Sequence, residues 1–410
     1  MLNKEQQDAL SYILQGDNVF ITGGGGTGKT VLINYFVKNY NNKNIAVTST
    51  TGTSAILIKG TTLHSYTGIG LGKGSMYSML MKIKKKKYLR ERWKRLDILI
   101  IDEISMLNPD LFDKLEEIAR NIRRDERPFG GIQLIISGDF CQLPCIDSNN
   151  FCFEAKSWDK CIDKTIYLKE IMRQSDKKLQ KVLKSLRLGV KSDKIKKIIE
   201  SRIDAKLEND HGILPTKLYP LNRYVEAENN KELEKIAEEV GEIVEYNIES
   251  ISYKKKNLEK FIKYIPASPC LQLTKGCQVM LIHNLDLENQ LVNGSRGVVL
   301  DFVNDLPLVK FMNGHERIID YHIWEIEEND TKIGSIEQIP LKLGYAFSIH
   351  KIQGATLDLV ELNLRDIFEY GMGYVALSRV KDLNALSIKS INWSKIKTHP
   401  KAIEFYKKIL

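Results

Sequence analysis

Four short apolar runs recur in the first third of the chain, each closing on small or polar residues. Val19-Phe20-Ile21 runs into a glycine loop from Gly23 to Gly28, after which Val31 to Val37 carries helical spacing. Ile45-Ala46-Val47-Thr48 is a second run. Ile98-Leu99-Ile100-Ile101 is a third, apolar throughout as a parallel strand covered on both faces should be. Leu134-Ile135-Ile136-Ser137 is a fourth and leads into Gly138-Asp139. Strands alternating with helical stretches predict a doubly wound α/β domain whose ligand lies beyond the carboxyl ends of the strands.

Between the second and third runs, a glycine-rich and then basic stretch from Gly68 to Arg95, with the run Lys84-Lys85-Lys86-Lys87, reads as a small insertion. From Gln174 to Arg202 the pattern is helical and basic. Lys217-Leu218-Tyr219-Pro220 reads as a strand before a charged helix from Asn222 to about Val240, while Ile243 to Pro269 has weak periodicity and predicts no element. From Leu271 to Glu337 short apolar runs are separated by turns at Asn293-Gly294 and Asn313-Gly314, which is hairpin patterning and suggests a small β-barrel. After Pro340 the α/β pattern returns.

A chain of 410 residues suggests two to three domains. With 43% hydrophobic and 28% charged residues it falls among ordinary globular proteins, not disordered or collagenous ones. No apolar stretch approaches the roughly 20 residues that cross a bilayer, and the start, MLNKEQQDAL, shows no signal peptide. The expectation is an intracellular protein with no membrane partner. A net charge of +9 favours polyanionic partners. Cys141, Cys145, Cys152, Cys161, Cys270 and Cys277 include no CxxC pair and no histidine at a zinc-finger interval, so they read as reduced thiols, not a metal cluster.

Gly23-Gly24-Gly25-Gly26-Thr27-Gly28-Lys29-Thr30 matches the phosphate-binding loop GxxxxGK[ST]. Glycines let successive backbone N–H groups converge on phosphate oxygens, and the following helix N-terminus adds partial positive charge. Lys29 would reach the β- and γ-phosphates, and Thr30 would ligate Mg²⁺. Gly23, Gly25 and Gly28 also satisfy GxGxxG. A dinucleotide fold, however, wants an acidic residue at the end of the second strand, and Thr48-Ser49-Thr50-Thr51 stands there instead. Asp102-Glu103 closes the third strand. Asp102 would hold Mg²⁺ and Glu103 would polarise the attacking water as general base. A DE pair alone would be a helix cap; paired with the phosphate loop at this topology it is a second phosphate-site element.

With Ile101-Asp102-Glu103-Ile104-Ser105-Met106-Leu107 the chain resembles the Pif-type (RecD-like) helicases of superfamily one. Further matches follow in order: Thr50-Thr51-Gly52 and Thr62-Leu63-His64-Ser65, Pro128 to Leu134, Gly138-Asp139-Phe140-Cys141-Gln142-Leu143-Pro144, Arg173-Gln174, Leu218-Tyr219-Pro220 with Asn222-Arg223, and Leu291-Val292-Asn293-Gly294. Ser348 to Gly354 and Tyr374-Val375-Ala376-Leu377-Ser378-Arg379 complete the set. The resemblance implies an α/β fold of two RecA-like P-loop NTPase motor domains. The first would span 1–173 with an insertion at about 68–95, and the second 174–270 and 338–410, with a small β-barrel inserted at 271–337. It implies ATP bound by Gln6, Gly23, Gly25, Gly26, Thr27, Gly28, Lys29, Thr30 and Gly354, with Gln6 reading the adenine edge. Gln142 would sense the γ-phosphate, and Arg173 and Arg379 would contact phosphate. Thr51, His64, His350 and Lys351 would contact DNA.

The function so implied is ATP-dependent 5′–3′ translocation on single-stranded DNA with unwinding of forked duplex, by a protein monomeric when free, in replication, repair or recombination. The motifs leave open a translocating ATPase without strand separation and a nucleotide-gated clamp. The lysine run from Lys84 reads equally as a DNA path or a solvated face. Met172 stands where relatives often carry an aromatic, which puts nucleotide selectivity in question, and Cys145 stands where a second proline is common.

Overall fold

The computed structural model describes residues 2–40, 43–70, 72–145, 148–207, 214–252, 262, 265–286, 288–289, 291, 294–328 and 331–409. The chain divides into two compact units. One comprises Met1–Ala205, Ile349–Asp358 and Leu362–Leu410, and the other Lys206–Ser348 with Leu359–Glu361.

The first unit is organised by a six-stranded sheet of β1 (Val19–Gly23), β2 (Ile45–Ser49), β3 (Thr61–Thr62), β4 (Ile98–Asp102), β5 (Gln133–Gly138) and β6 (Lys164–Leu168), in the order β3-β2-β4-β5-β1-β6. Every pairing is parallel. The two-residue period of the strands divides the apolar residues between two cores. Val19, Ile21, Ile98, Ile100 and Ile135 pack on one face with Ala9 and Ile13 of helix Lys4–Gln15 and Leu32, Ile33 and Phe36 of helix Lys29–Asn39. Phe20, Leu99, Ile101, Leu134 and Ile136 pack on the other with helix Pro109–Arg123. The β6 strand was not expected; its first two positions, Lys164 and Thr165, are polar and exposed, which leaves only Ile166-Tyr167-Leu168 to announce it.

The basic stretch after Gly68 forms helices Met76–Lys85 and Lys87–Arg95. Their apolar sides, Met79, Leu80, Ile83, Leu89 and Trp93, belong to the main core beside Phe112, and the Trp93 indole donates to the Thr67 carbonyl at 3.1 Å. Lys84, Lys85 and Lys87 stay exposed at the corner where the two helices meet. Cys141, Cys152 and Cys161 are buried free thiols, held protonated by burial.

In the second unit, strand Thr216–Tyr219 pairs in parallel with Ala346–Ser348, and helix Asn222–Val240 follows where the pattern places it. Among the described residues ten further strands of this unit form three antiparallel sheets. Five strands run in the order Glu316–Ile318, Leu306–Phe311, Arg296–Val303, Gln278–Leu281, Leu341–Leu343. Three comprise His322–Glu328, Thr331–Gln338 and Glu249–Ser252, and two comprise Cys270–Leu273 and Val244–Asn247. Leu271, Leu273, Val279, Leu281, Val299, Val309, Phe311 and Leu341 share one core. Gly314 takes φ 86° in the turn after Phe311, as an Asn-Gly hairpin requires. Val292 and Asn293, half of the other expected turn and motif, lie outside the described residues. Among the described residues no helix is long and apolar enough to cross a membrane.

Candidate nucleotide site

Three parallel strands end on polar residues at one edge of the sheet: β1 on Gly23, β4 on Asp102 and β5 on Gly138-Asp139. The loop after β1 wraps to the first turn of helix Lys29–Asn39. Gly26 and Gly28 take φ of 82° and 84°, which only glycine adopts without strain. A Cβ at Gly28 would also lie 2.5 Å from the Gln6 amide nitrogen and 2.9 Å from the Met172 sulfur. The Thr27 hydroxyl donates to the Gly24 carbonyl at 2.9 Å. Lys29 is buried, with its ammonium donating to the Gly23 and Gly24 carbonyls at 2.8 and 3.0 Å. Burial lowers its pKa, opposed by Asp139, Glu103 and Asp102. Thr30 sits half-buried in the same helical turn.

Asp102 and Glu103 are both buried, the latter at φ 55° in the left-handed region, a conformation that non-glycine residues rarely take outside special sites. Burial pushes the Asp102 carboxyl up, and the Ser137 hydroxyl opposes it. Burial and then the Asp102 charge push Glu103 up to about 7. The Gln353 amide donates to Glu103 at 3.0 Å. Glu103 is thereby a carboxyl poised near neutrality, as a general base requires. The buried Asp102 carboxylate and the half-buried Thr30 hydroxyl are hard oxygen donors of the kind that would suit a small dication such as Mg²⁺.

Arg379 is 1% exposed, and its Nη2 lies 3.5 Å from where a Cβ on Gly25 would stand. Its guanidinium donates to Val375 O, Ala355 O and the Ser378 hydroxyl. Burial and the like charge of Arg173 pull its pKa down to about 9. Arg173 donates to Ser378 O at 3.1 Å and to Gly354 O at 2.8 Å, while its own backbone N–H bonds Gly26 O at 3.1 Å. Two cations thus converge beside a loop built to receive phosphate, though they stand some 200 residues apart in the chain. Gln142 is buried with an unpartnered Oε1. Gln6 is fully buried beneath the loop, donating to Gly28 O at 3.2 Å and contacting the Met172 sulfur at 3.7 Å. Met172 itself is 49% exposed beside it.

The four residues expected to touch DNA are spread over three short elements. Thr51 shares a hydroxyl–hydroxyl bond with Ser54 at the start of helix Gly52–Leu57. His64 lies half-buried in helix Leu63–Thr67. The His350 ring stacks on Phe368, centroids 5.9 Å apart, and Lys351 is exposed. Burial lowers both histidines' pKa values, so the rings are largely neutral near pH 7. A Cβ on Gly354 would lie 2.8 Å from Leu57, which brings the His350 turn against helix Gly52–Leu57.

Sequence reasoning did not single out Arg187, Tyr374, Gln353 or Tyr406. Arg187 makes a forked pair with Asp139 at 2.9–3.2 Å and lies 4.1 Å from the centre of the Tyr406 ring. In the sequence it is one cation of a basic helix, and only its i+4 place after Leu183, on the apolar side of helix Lys177–Arg187, separates it from the exposed lysines. Tyr374 and Gln353 stood within recognised motifs, so that signal was present. Tyr406 carried none.

A family model described as PIF1-like helicase matches residues 1–208, and one described as DNA helicase Pif1, 2B domain, matches residues 262–302. The chain is 39% identical to the ATP-dependent DNA helicase PIF1 of Xenopus laevis over 99% of its own length and 64% of that protein's. It thus spans less than two thirds of that relative. The crystal structure of Pif1 helicase from Candida albicans superposes with a TM-score of 0.92 at 38% identity, covering 100% of both chains. That of Pif1 helicase from Bacteroides in complex with ADP-AlF3 and ssDNA does so with a TM-score of 0.79 at 29% identity, covering 100% of this chain and 97% of that one.

Proposed function

Because the chain belongs to the PIF1-like helicase family, with its fold of two RecA-like domains, we propose that it is an ATP-driven helicase that moves 5′–3′ along single-stranded DNA and unwinds forked duplex. The observation that carries this is the convergence of Arg379 and Arg173 on the glycine loop that leads into Lys29, within electrostatic reach of Glu103. The Bacteroides relative binds ADP-AlF3 and ssDNA, which supports nucleotide and single-stranded DNA as the ligands here.

In this reading Lys29 exchanges its bonds to Gly23 and Gly24 for the β- and γ-phosphates, while Gln6 holds the base. A Mg²⁺ ion held by Thr30 and Asp102 would neutralise charge on the phosphates. Glu103, as the carboxylate, takes a proton from the attacking water, and Gln353 keeps it oriented. Arg173 and Arg379 stabilise charge that grows on the transferred phosphoryl, a contribution worth roughly 10³–10⁵ in related NTPases. Thr51, His64, His350 and Lys351 grip the strand without reading its sequence, because hydroxyl, imidazole N–H and cationic contacts to phosphate carry no base information. We assign residues 1–173 to the first motor, 174–270 and 338–410 to the second, and 271–337 to an inserted small barrel, a reading supported by the core those strands share. The free protein is taken as a monomer.

Duplexes with a single-stranded tail of either polarity test the proposal. Strand release from the 5′-tailed substrate alone, dependent on ATP, is expected. Release from neither, beside brisk DNA-stimulated turnover, would replace the helicase with a translocase.

A further inference from the structure

The helix Met372–Leu377 delivers more than Arg379. Its Tyr374 is buried, and the Gly25 N–H donates to the Tyr374 hydroxyl at 2.6 Å. That hydroxyl donates in turn to Asp139 at 3.5 Å. Asp139 is 0% exposed and is held by the Nε and Nη2 of the Arg187 guanidinium, one edge of the fork. Arg187 is fixed further by the Tyr167 hydroxyl at 3.0 Å and by the face of Tyr406. The Tyr406 hydroxyl meets the Thr22 hydroxyl at 2.6 Å and accepts from Phe140 N–H at 3.1 Å, which pins the assembly to β1 and to the segment after β5. Ser378, next to Arg379, accepts from Arg379 Nη2 at 2.6 Å and stands 3.1 Å from where a Cβ on Gly25 would lie. The same glycine therefore receives the tyrosine hydroxyl, the serine and the arginine.

We propose that Tyr374, Asp139 and Arg187 form a positioning relay that sets the phosphate loop at Gly25 in register with Arg379, so that the arginine meets the phosphoryl group only in the reacting geometry. The Gly25 N–H is engaged by a protein hydroxyl, so its loss from that partner disturbs alignment more than ground-state binding. Loss of an interaction felt mainly in the transition state lowers kcat and leaves KM nearly alone. A misplacement of about 1 Å can cost on the order of 100-fold. Arg187 matters as a fork; a lysine is a point charge that cannot hold both carboxylate oxygens.

The proposal rests on the phosphoryl-transfer reading, and the test keeps the two apart. DNA-stimulated ATP turnover is measured on the full chain for Tyr374→Phe, Arg187→Lys and the double variant, with Lys29→Ala as control. Each single variant is expected to lower kcat about 10- to 100-fold, with KM for ATP within about threefold of the parent. The double variant should lose no more than the worse single one, because both act through Asp139. Should Tyr374→Phe lose its cooperative melting transition, Arg187→Lys alone decides by the same split. Unchanged kcat, a loss confined to KM, or multiplying losses in the double variant overturns the relay. Full turnover in Lys29→Ala would instead overturn the reading beneath it.

Discussion

Lys29, Asp102, Glu103 and Arg379 are each no more than 9% exposed, and Arg379 alone makes four hydrogen bonds. Thr51, His64 and His350, in the same unit, are half-buried, and Lys351 is exposed. On the roles proposed for these residues, nucleotide chemistry and strand grip are built on opposite principles. Buried charges must be paired and preorganised, which makes them powerful at a developing phosphoryl charge and intolerant of substitution. Strand contacts must stay wet, act in parallel and release at each step, so each carries little alone and is screened by salt.

The contrast is sharpest at Glu103. Glu103→Gln should hold nucleotide yet lower DNA-stimulated turnover about 10²- to 10⁴-fold, measured by steady-state hydrolysis beside nucleotide-binding titration. A parental rate would remove Glu103 as the base. A smaller effect is expected at Gln353, whose bond to Glu103 favours the carboxylate. The free-enzyme profile of kcat/KM should climb as pH rises through about 7, where Glu103 loses its proton. Gln353→Leu should move that midpoint upward by about half a unit to one unit. The same group has an opposite effect on stability. An unfolded glutamate ionises near 4.5, so between there and about 7 the unfolded chain binds fewer protons and this residue's contribution to stability falls as pH rises.

On the strand side the effects shrink. Lys351→Ala should weaken single-stranded DNA binding by less than about tenfold and reduce the salt slope of log K by about 0.7, measured by fluorescence titration across salt. An unchanged slope would take Lys351 off the phosphate path. If losses at Lys351 matched those at Glu103, the division between a buried engine and a wet grip would be false.

Local chemistry was legible in the sequence, and long-range pairing was not. The glycine loop, the four apolar runs now seen as β1, β2, β4 and β5, and the helix from Asn222 all lie where period and spacing put them. Strand Glu249–Ser252 escaped because it is wholly exposed, and Val244–Asn247 because its alternation lasts only four residues and buries one side chain, Tyr246. Residues 68–95 read as a basic insertion because of the unbroken run Lys84 to Lys87, yet the residues that position its helices are apolar ones spaced along them. Arg187 escaped because its partner Asp139 is 48 positions away, and a surface lysine and a buried arginine look alike in a helical pattern.

Joint action of Arg379 and the loop bearing Lys29 on one phosphoryl group underlies the proposed mechanism. Its most direct test is the affinity of the parent and of Arg379→Ala for ADP with and without fluoroaluminate, in the presence of single-stranded DNA and Mg²⁺. The variant is expected to bind ADP as the parent does and to lose the extra tightness that fluoroaluminate confers on the parent. If fluoroaluminate tightens binding equally in both proteins, Arg379 does not touch the reacting group.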